Sequence, residues 1–138
     1  MRSFHDYHLV AYRVDGERRE LTLELAWLYP DDPSPRPRET VTFRQVEGYF
    51  LEHDLGVNIV YSIEEVNIEE HIFSHALSFE EQSRWGWPLY WKGTVENTLE
   101  HLKGVGAKCF LLSTSYGLTG WVVCREVPQV HTKEDQSD

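Results

Sequence analysis

Seven histidines and two cysteines are the side chains of this 138-residue chain with the most chemistry to offer. His71 and His75 stand four apart in a stretch that reads as helix, so both imidazoles would share one face and could present two nitrogen ligands to a metal. The local sequence is Glu-Glu-His-Ile-Phe-Ser-His, however, without the glutamate between the ligands that a zinc protease uses as general base. His5-Asp6-Tyr7-His8 and Glu52-His53-Asp54 could add ligands only if folding brought them to the same place, and their spacing does not require it. The preferred expectation is therefore no metal and no cofactor. His71 and His75 remain the candidate pair for an alternative in which the protein is a metal-dependent enzyme or small-ligand binder.

Nucleophilic chemistry has less to build on. There is no Gly-x-Ser-x-Gly elbow and no glycine-rich phosphate loop ahead of a helix. Glu64/Glu65, Glu69/Glu70 and Glu80/Glu81 are adjacent pairs, so in a strand or helix the two members point different ways. Cys109 and Cys124 fall on the last two β-rich runs. A turn centred on Tyr116-Gly117 would set them opposite each other, whereas one centred on Leu118-Thr119 would not. The Gly117-x-x-Gly120 spacing favours the second, and two buried thiols are expected. No catalytic residue is assigned.

Charge and aromatic patterning point instead to binding. The chain holds 13 Lys plus Arg against 23 Asp plus Glu, a formal charge of −10. Nine of the acids lie between residues 46 and 82, a stretch without a single Lys or Arg. Such a body is repelled by phosphate backbones and anionic lipid, which argues against nucleic-acid and membrane partners. It would steer a basic protein toward itself. The candidate partner-binding acids are Glu47, Glu52, Asp54, Glu64, Glu65, Glu69 and Glu70; the first five of these have no evident local structural use. Trp85-Gly-Trp87-Pro-Leu-Tyr90-Trp91 adds four large aromatics in seven residues. Trp85, Trp87, Tyr90 and Trp91 could plug one end of a sheet or form an interface anchor. A third possibility is that the acidic face serves solubility alone, in a housekeeping protein.

These residues need a scaffold, and the patterning supplies one. With 41% apolar residues, 13% of the chain being aromatic, one core is affordable. His8–Val14 and Leu21–Trp27 alternate across an Asp15-Gly16 turn and predict a hairpin with Leu21, Leu23, Leu25 and Trp27 on one face. A proline-rich loop over 30–38 follows, then Thr40–Val46, a bulge or bend at Gly48 leading to Tyr49–Leu51, and Val57–Ile63 with Val57, Ile59, Tyr61 and Ile63 on one side. Asn67-Ile-Glu-Glu70 has the form of a capping box and predicts a helix to about Ala76. Ser78-Phe-Glu-Glu81 repeats the device and predicts a second helical stretch ending before Gly86. Thr94 caps a third over Val95–Lys103. Two final strands, Ala107–Thr114 and Trp121–Val127, complete the order ββββααββ. Consecutive strands predict an α+β domain: an antiparallel sheet of about six strands with two or three short helices packed on one face. Residues 1–130 form one globular domain in this reading, 131–138 a disordered polar tail. No apolar run approaches the ~20 residues of a membrane span, and the start of the chain lacks an apolar signal core, so a cytoplasmic location is expected.

The opening Phe4-His5-Asp6-x-x-Leu9, the Asp15-Gly16 turn and Val41-Thr42-Phe43-x-x-Val46-Glu47-Gly48 together resemble small bacterial proteins that begin with a His-Asp strand. Some of these occur as immunity proteins beside polymorphic toxins. The resemblance spans about the first third of the chain and implies a non-enzymatic binding role, in which a small acidic protein covers the active surface of a basic toxin. It brings no catalytic residues. Within the motif itself, Asp6 has a structural use available, fixing a turn before the first strand.

Overall fold

The computed structural model describes residues 2–133. Its strands are β1 (His8–Asp15), β2 (Glu20–Ala26), β3 (Arg38–Phe43), β4 (Val46–Glu52), β5 (Asn58–Val66), β6 (Lys108–Tyr116), β7 (Thr119–Cys124) and β8 (Gln129–Lys133). Between β5 and β6 come α1 (Ile68–Gln82), a single 3-10 turn (Ser83–Trp85) and α2 (Val95–Gly104). All strands join one antiparallel sheet in the order β4-β7-β6-β5-β1-β2-β3-β8. No helix among the described residues is long and apolar enough to cross a membrane.

Only Arg44 and Gln45 separate β3 from β4, yet those strands sit near opposite ends of the sheet. Both facts hold only if the sheet curls until its ends approach. Gln45 turns the corner with a φ of 49°, in the left-handed region. The Val46 N–H then donates to the Arg19 carbonyl at 2.9 Å and the Arg125 N–H to the Gln45 carbonyl at 3.1 Å, fastening the corner to the β1–β2 turn and to the end of β7. The concave side of this curl is the main core. Leu21, Leu23 and Leu25 of β2, Val41 and Phe43 of β3, and Phe110 and Leu112 of β6 all point into it and are buried. Phe4 and Tyr7 close one end, and Asp6 makes the turn that admits them, with a φ of 70° and its N–H donating to the Val60 carbonyl. Glu39 shares the concave face at 1% exposure, where Arg2 and Thr132 satisfy its carboxylate at 2.6 and 2.8 Å. That bond set ties residue 2, β3 and β8 together.

The helices cover part of the convex side. Asn67 caps α1 by accepting the N–H groups of Glu69 and Glu70, and Thr94 caps α2 by accepting that of Asn97. Ile72 and Phe79 of α1 and Leu102 of α2 pack with Cys109 and Val123 of the sheet in a second, smaller core.

The α+β antiparallel architecture is as predicted, with differences of detail. The sheet has eight strands in the order βββββααβββ rather than six. The bulge expected at Gly48 is present as a register shift between Val46 and Gly48, but it lies within β4, and it is Arg44-Gln45 that breaks the long run into β3 and β4. Strand β8 takes in His131–Lys133, which the sequence reading gave to a disordered tail; the remainder of that tail, residues 134–138, lies outside the described residues. Ser78 does not begin a second helix, because α1 runs on to bury Phe79 and its backbone never leaves helical geometry. Register shifts in β5 change the phase of its alternation: Val60 and Ile63 are buried, whereas Val57 and Tyr61 are exposed. The β6–β7 register places Cys109 opposite Val123 and Cys124 opposite Lys108. The thiols therefore sit on opposite faces, both buried and unbridged, and burial pushes each up to about 12.

Candidate binding cleft

The convex face of β4, β7, β6 and β5 divides into three rows of side chains across the strands. Gly48, Val123, Cys109 and Val66 form the first, beneath the helices. Gly48 is required there, since a Cβ would lie 2.8 Å from the Tyr90 ring. Phe50, Trp121, Leu111 and Glu64 form the second row, where the cover ends: Trp121 is buried, but Phe50 and Leu111 are each 40% exposed. Glu52, Thr119, Ser113 and Ser62 follow two residues further along each strand on the same face, and this third row is polar.

At the edge of the cover a cleft of about 510 Å³ opens between Phe50 and Trp121 of the sheet, His75, Ser78 and Gln82 of α1, and Trp87 of the connecting loop. It continues over Glu52, Leu111 and Thr114 into a second hollow of about 400 Å³ that shares Phe50, His75 and Trp121. Phe50, Trp87 and Trp121 make a tilted triangle with ring centroids 6.0 to 6.3 Å apart. The Trp87–Pro88 bond that leads out of it is cis.

His71 and His75 do share a face of α1, with ring centroids 4.7 Å apart. Their environments differ. His71 is buried against Trp121 and shares a hydrogen bond of 3.0 Å between its Nε2 and the Tyr90 hydroxyl. Burial, aided by the neighbouring His75, lowers its pKa to about 3 and keeps it neutral, and burial raises the Tyr90 phenol far above its usual range. His75 lies half-buried at the cleft wall, stacked on Phe79, with Nδ1 2.9 Å from the His71 carbonyl. The Ser74 hydroxyl lies 3.1 Å from the same nitrogen. Among the described residues no three His, Cys, Asp or Glu side chains converge as a metal would need.

The acids scatter over several environments. Glu47 is 7% exposed and serves the corner of the sheet: it meets His101 at 2.9 Å, Arg125 at 3.4 Å and Arg19 at 3.6 Å. Expected at a partner surface, it is instead a structural carboxylate, and the bases that neutralise it are remote in sequence. Asp54 is exposed but accepts from the Gly56 N–H, Asn58 and Tyr12, so it holds the β4–β5 loop; these bonds, that from Gly56 foremost, lower its pKa. Glu69 pairs with Lys103, and Glu65 lies 4.0 Å from Lys108. Glu52, Glu64 and Glu70 are exposed, the first two in the open rows of the convex face. Of the aromatic segment, Trp85 is 78% exposed, Trp87 and Trp91 are half-buried and Tyr90 is buried, so it is partly plug and partly surface.

Phe50, Trp121 and Gln82 escaped the sequence reading. Phe50 and Trp121 sit in runs that looked like ordinary strand, and only the β4–β7 pairing puts them together. No protein family, curated protein or solved structure matches the chain. The class that fold and cleft define is an α+β domain with a curled antiparallel sheet and a half-covered convex face.

Proposed function

We propose that the protein is a non-enzymatic binding domain for a basic protein, acting as an immunity-type inhibitor that covers its partner. The observation that carries this reading is the open part of the convex face. Phe50 and Leu111 are exposed beside the cleft, Glu64 stands in their row and Glu52 in the next, and among the described residues no Lys or Arg lines the cleft. Exposed apolar side chains bordered by polar and charged ones mark interaction surfaces in soluble proteins. Phe73 and Leu77, on the solvent side of α1, and Trp85 after it are further exposed apolar side chains. The acidic stretch supplies the long-range field that speeds encounter with a cation-rich surface. The resemblance of the opening residues to immunity proteins agrees with a role of this kind.

The test is affinity capture from the native host at low and at high salt, with the wild-type chain and a Glu52→Lys/Glu64→Lys/Glu70→Lys variant as baits. The expected result is one basic protein retained by the wild type at low salt, weakened by salt, and weakened further by the variant. If no basic protein is retained, or if the variant holds it equally well, the reading is wrong.

A further inference from the structure

Resting on the reading of a basic protein partner, we infer that the aromatic cleft is a seat for an arginine side chain of that partner. Three observations converge on it. Phe50 and Trp87 border a shallow bowl with the buried Trp121 as its floor, and centroid separations of 6.0 to 6.3 Å leave no slot between the rings. A guest must therefore lie over the ring faces, as a flat cation does. The polar groups around the bowl include a carboxylate, Glu52, and the side chains of His75, Ser78 and Gln82. Among the described residues, no Lys or Arg lines either hollow. An anion would find no cation in this lining, and a lysine would present donors but no plane to stack. A guanidinium supplies both, with five donors in a rigid fork.

The molecule already makes one such arrangement from its own residues. Arg36 lies over Trp27 with its guanidinium carbon 4.5 Å from the ring centroid, and Asp32 accepts from the Trp27 indole N–H at 2.7 Å. The convex bowl repeats the aromatic face and the nearby carboxylate. Among the described residues the guanidinium groups over aromatic rings are Arg36 on Trp27 and Arg2 on Phe4, and neither is near the bowl's rings.

The probe is blocked arginine, N-acetyl-arginine amide, titrated into labelled protein while the five indole N–H signals are followed by NMR. Trp87 and Trp121 are expected to shift saturably and Trp27 to stay. Blocked lysine should bind more weakly, and blocked citrulline, the neutral isostere, should not bind. Glu52→Gln and Trp87→Leu should each weaken arginine binding by roughly five- to thirty-fold, the range of a desolvated cation–π or charge contact. If Trp87→Leu loses the dispersed spectrum of the folded chain, Phe50→Leu replaces it. No saturable shift with arginine, or equal shifts with citrulline, overturns the inference. A captured basic partner that binds Glu52→Gln and Phe50→Leu as tightly as wild type overturns it too, while leaving the proposed function standing. Arginine binding without any partner from the host would sink the proposed function alone.

Discussion

The two faces of the sheet differ in how completely they are used. On the concave face the curl closes the sheet over its own side chains, and Leu21, Leu23, Leu25, Val41 and Phe43 are all at 0 or 1% exposure. On the convex face two helices cover one row of residues and stop, leaving Phe50 and Leu111 half out of the next. A protein that needed only to be stable could extend α1 or add a third helix over that row. The contrast places the better-packed core on the concave face and leaves the convex one as the surface on which the proposed recognition would act. It also explains why polar groups are treated differently: Glu39 and Glu47, near the core, are matched by named partners, whereas Glu52 and Glu64 stand in the open.

The largest expected effect comes from truncating the concave core. Leu23→Ala removes a fully buried side chain from the middle of β2, where the neighbouring strands cannot collapse onto the gap without uncurling the sheet. Denaturant unfolding should show a loss of about 2–5 kcal/mol, with partner binding unchanged in whatever fraction stays folded. A loss below about 1 kcal/mol would mean that the concave face is loosely packed, and the division between the faces would lose its basis.

A smaller effect tests the covered part of the convex face, where His71 on the inner side of α1 is buried against Trp121. Its pKa of about 3 in the folded chain lies below the ordinary value of 6.5. The unfolded chain therefore takes up a proton at His71 that the folded chain refuses, so stability is lost as pH falls below 6.5 and the loss continues toward 3. Between about pH 7 and about pH 5 this group alone should cost up to about 2 kcal/mol. The difference between wild type and His71→Gln, measured by denaturant midpoints across that window, isolates it from the other histidines. Parallel pH profiles would show that the helix-covered row is open to water and belongs with the exposed part of the face.

Legibility in the sequence follows the same division. The period-two pattern of Leu21, Leu23 and Leu25 located the concave face correctly, because a strand buried on one side writes that burial into alternate residues. Asn67 and Thr94 were readable as caps, since capping is settled within three residues. Whatever depends on strands remote in sequence was not readable. The β4–β7 pairing that assembles Phe50 with Trp121 and the corner that buries Glu47 among Arg19, His101 and Arg125 leave no local trace. β5 misled for a related reason: its bulges shift the phase, and no glycine announces them. Of the cleft, Trp87, His75 and Glu52 stood out beforehand, as members of an aromatic cluster, a histidine pair and the acidic stretch.

The smallest expected effect is the one that most sharply separates recognition from stability. Leu77 is 85% exposed on the solvent side of α1, and Phe73 is 61% exposed one turn before it. Neither belongs to the buried clusters, so a double change Phe73→Ser/Leu77→Ser removes almost no buried apolar surface. Serine is a somewhat poorer helix former than leucine, and the double variant should unfold within about 1 kcal/mol of the wild type. If α1 extends the contact surface, binding of the captured partner should weaken even though stability scarcely moves, because apolar area is then buried only in the complex. A variant that binds as tightly as the wild type would confine recognition to the sheet rows and the cleft. One that loses several kcal/mol of stability would show that Phe73 and Leu77 support the fold from outside, and that the convex face is more fully used than its exposure suggests.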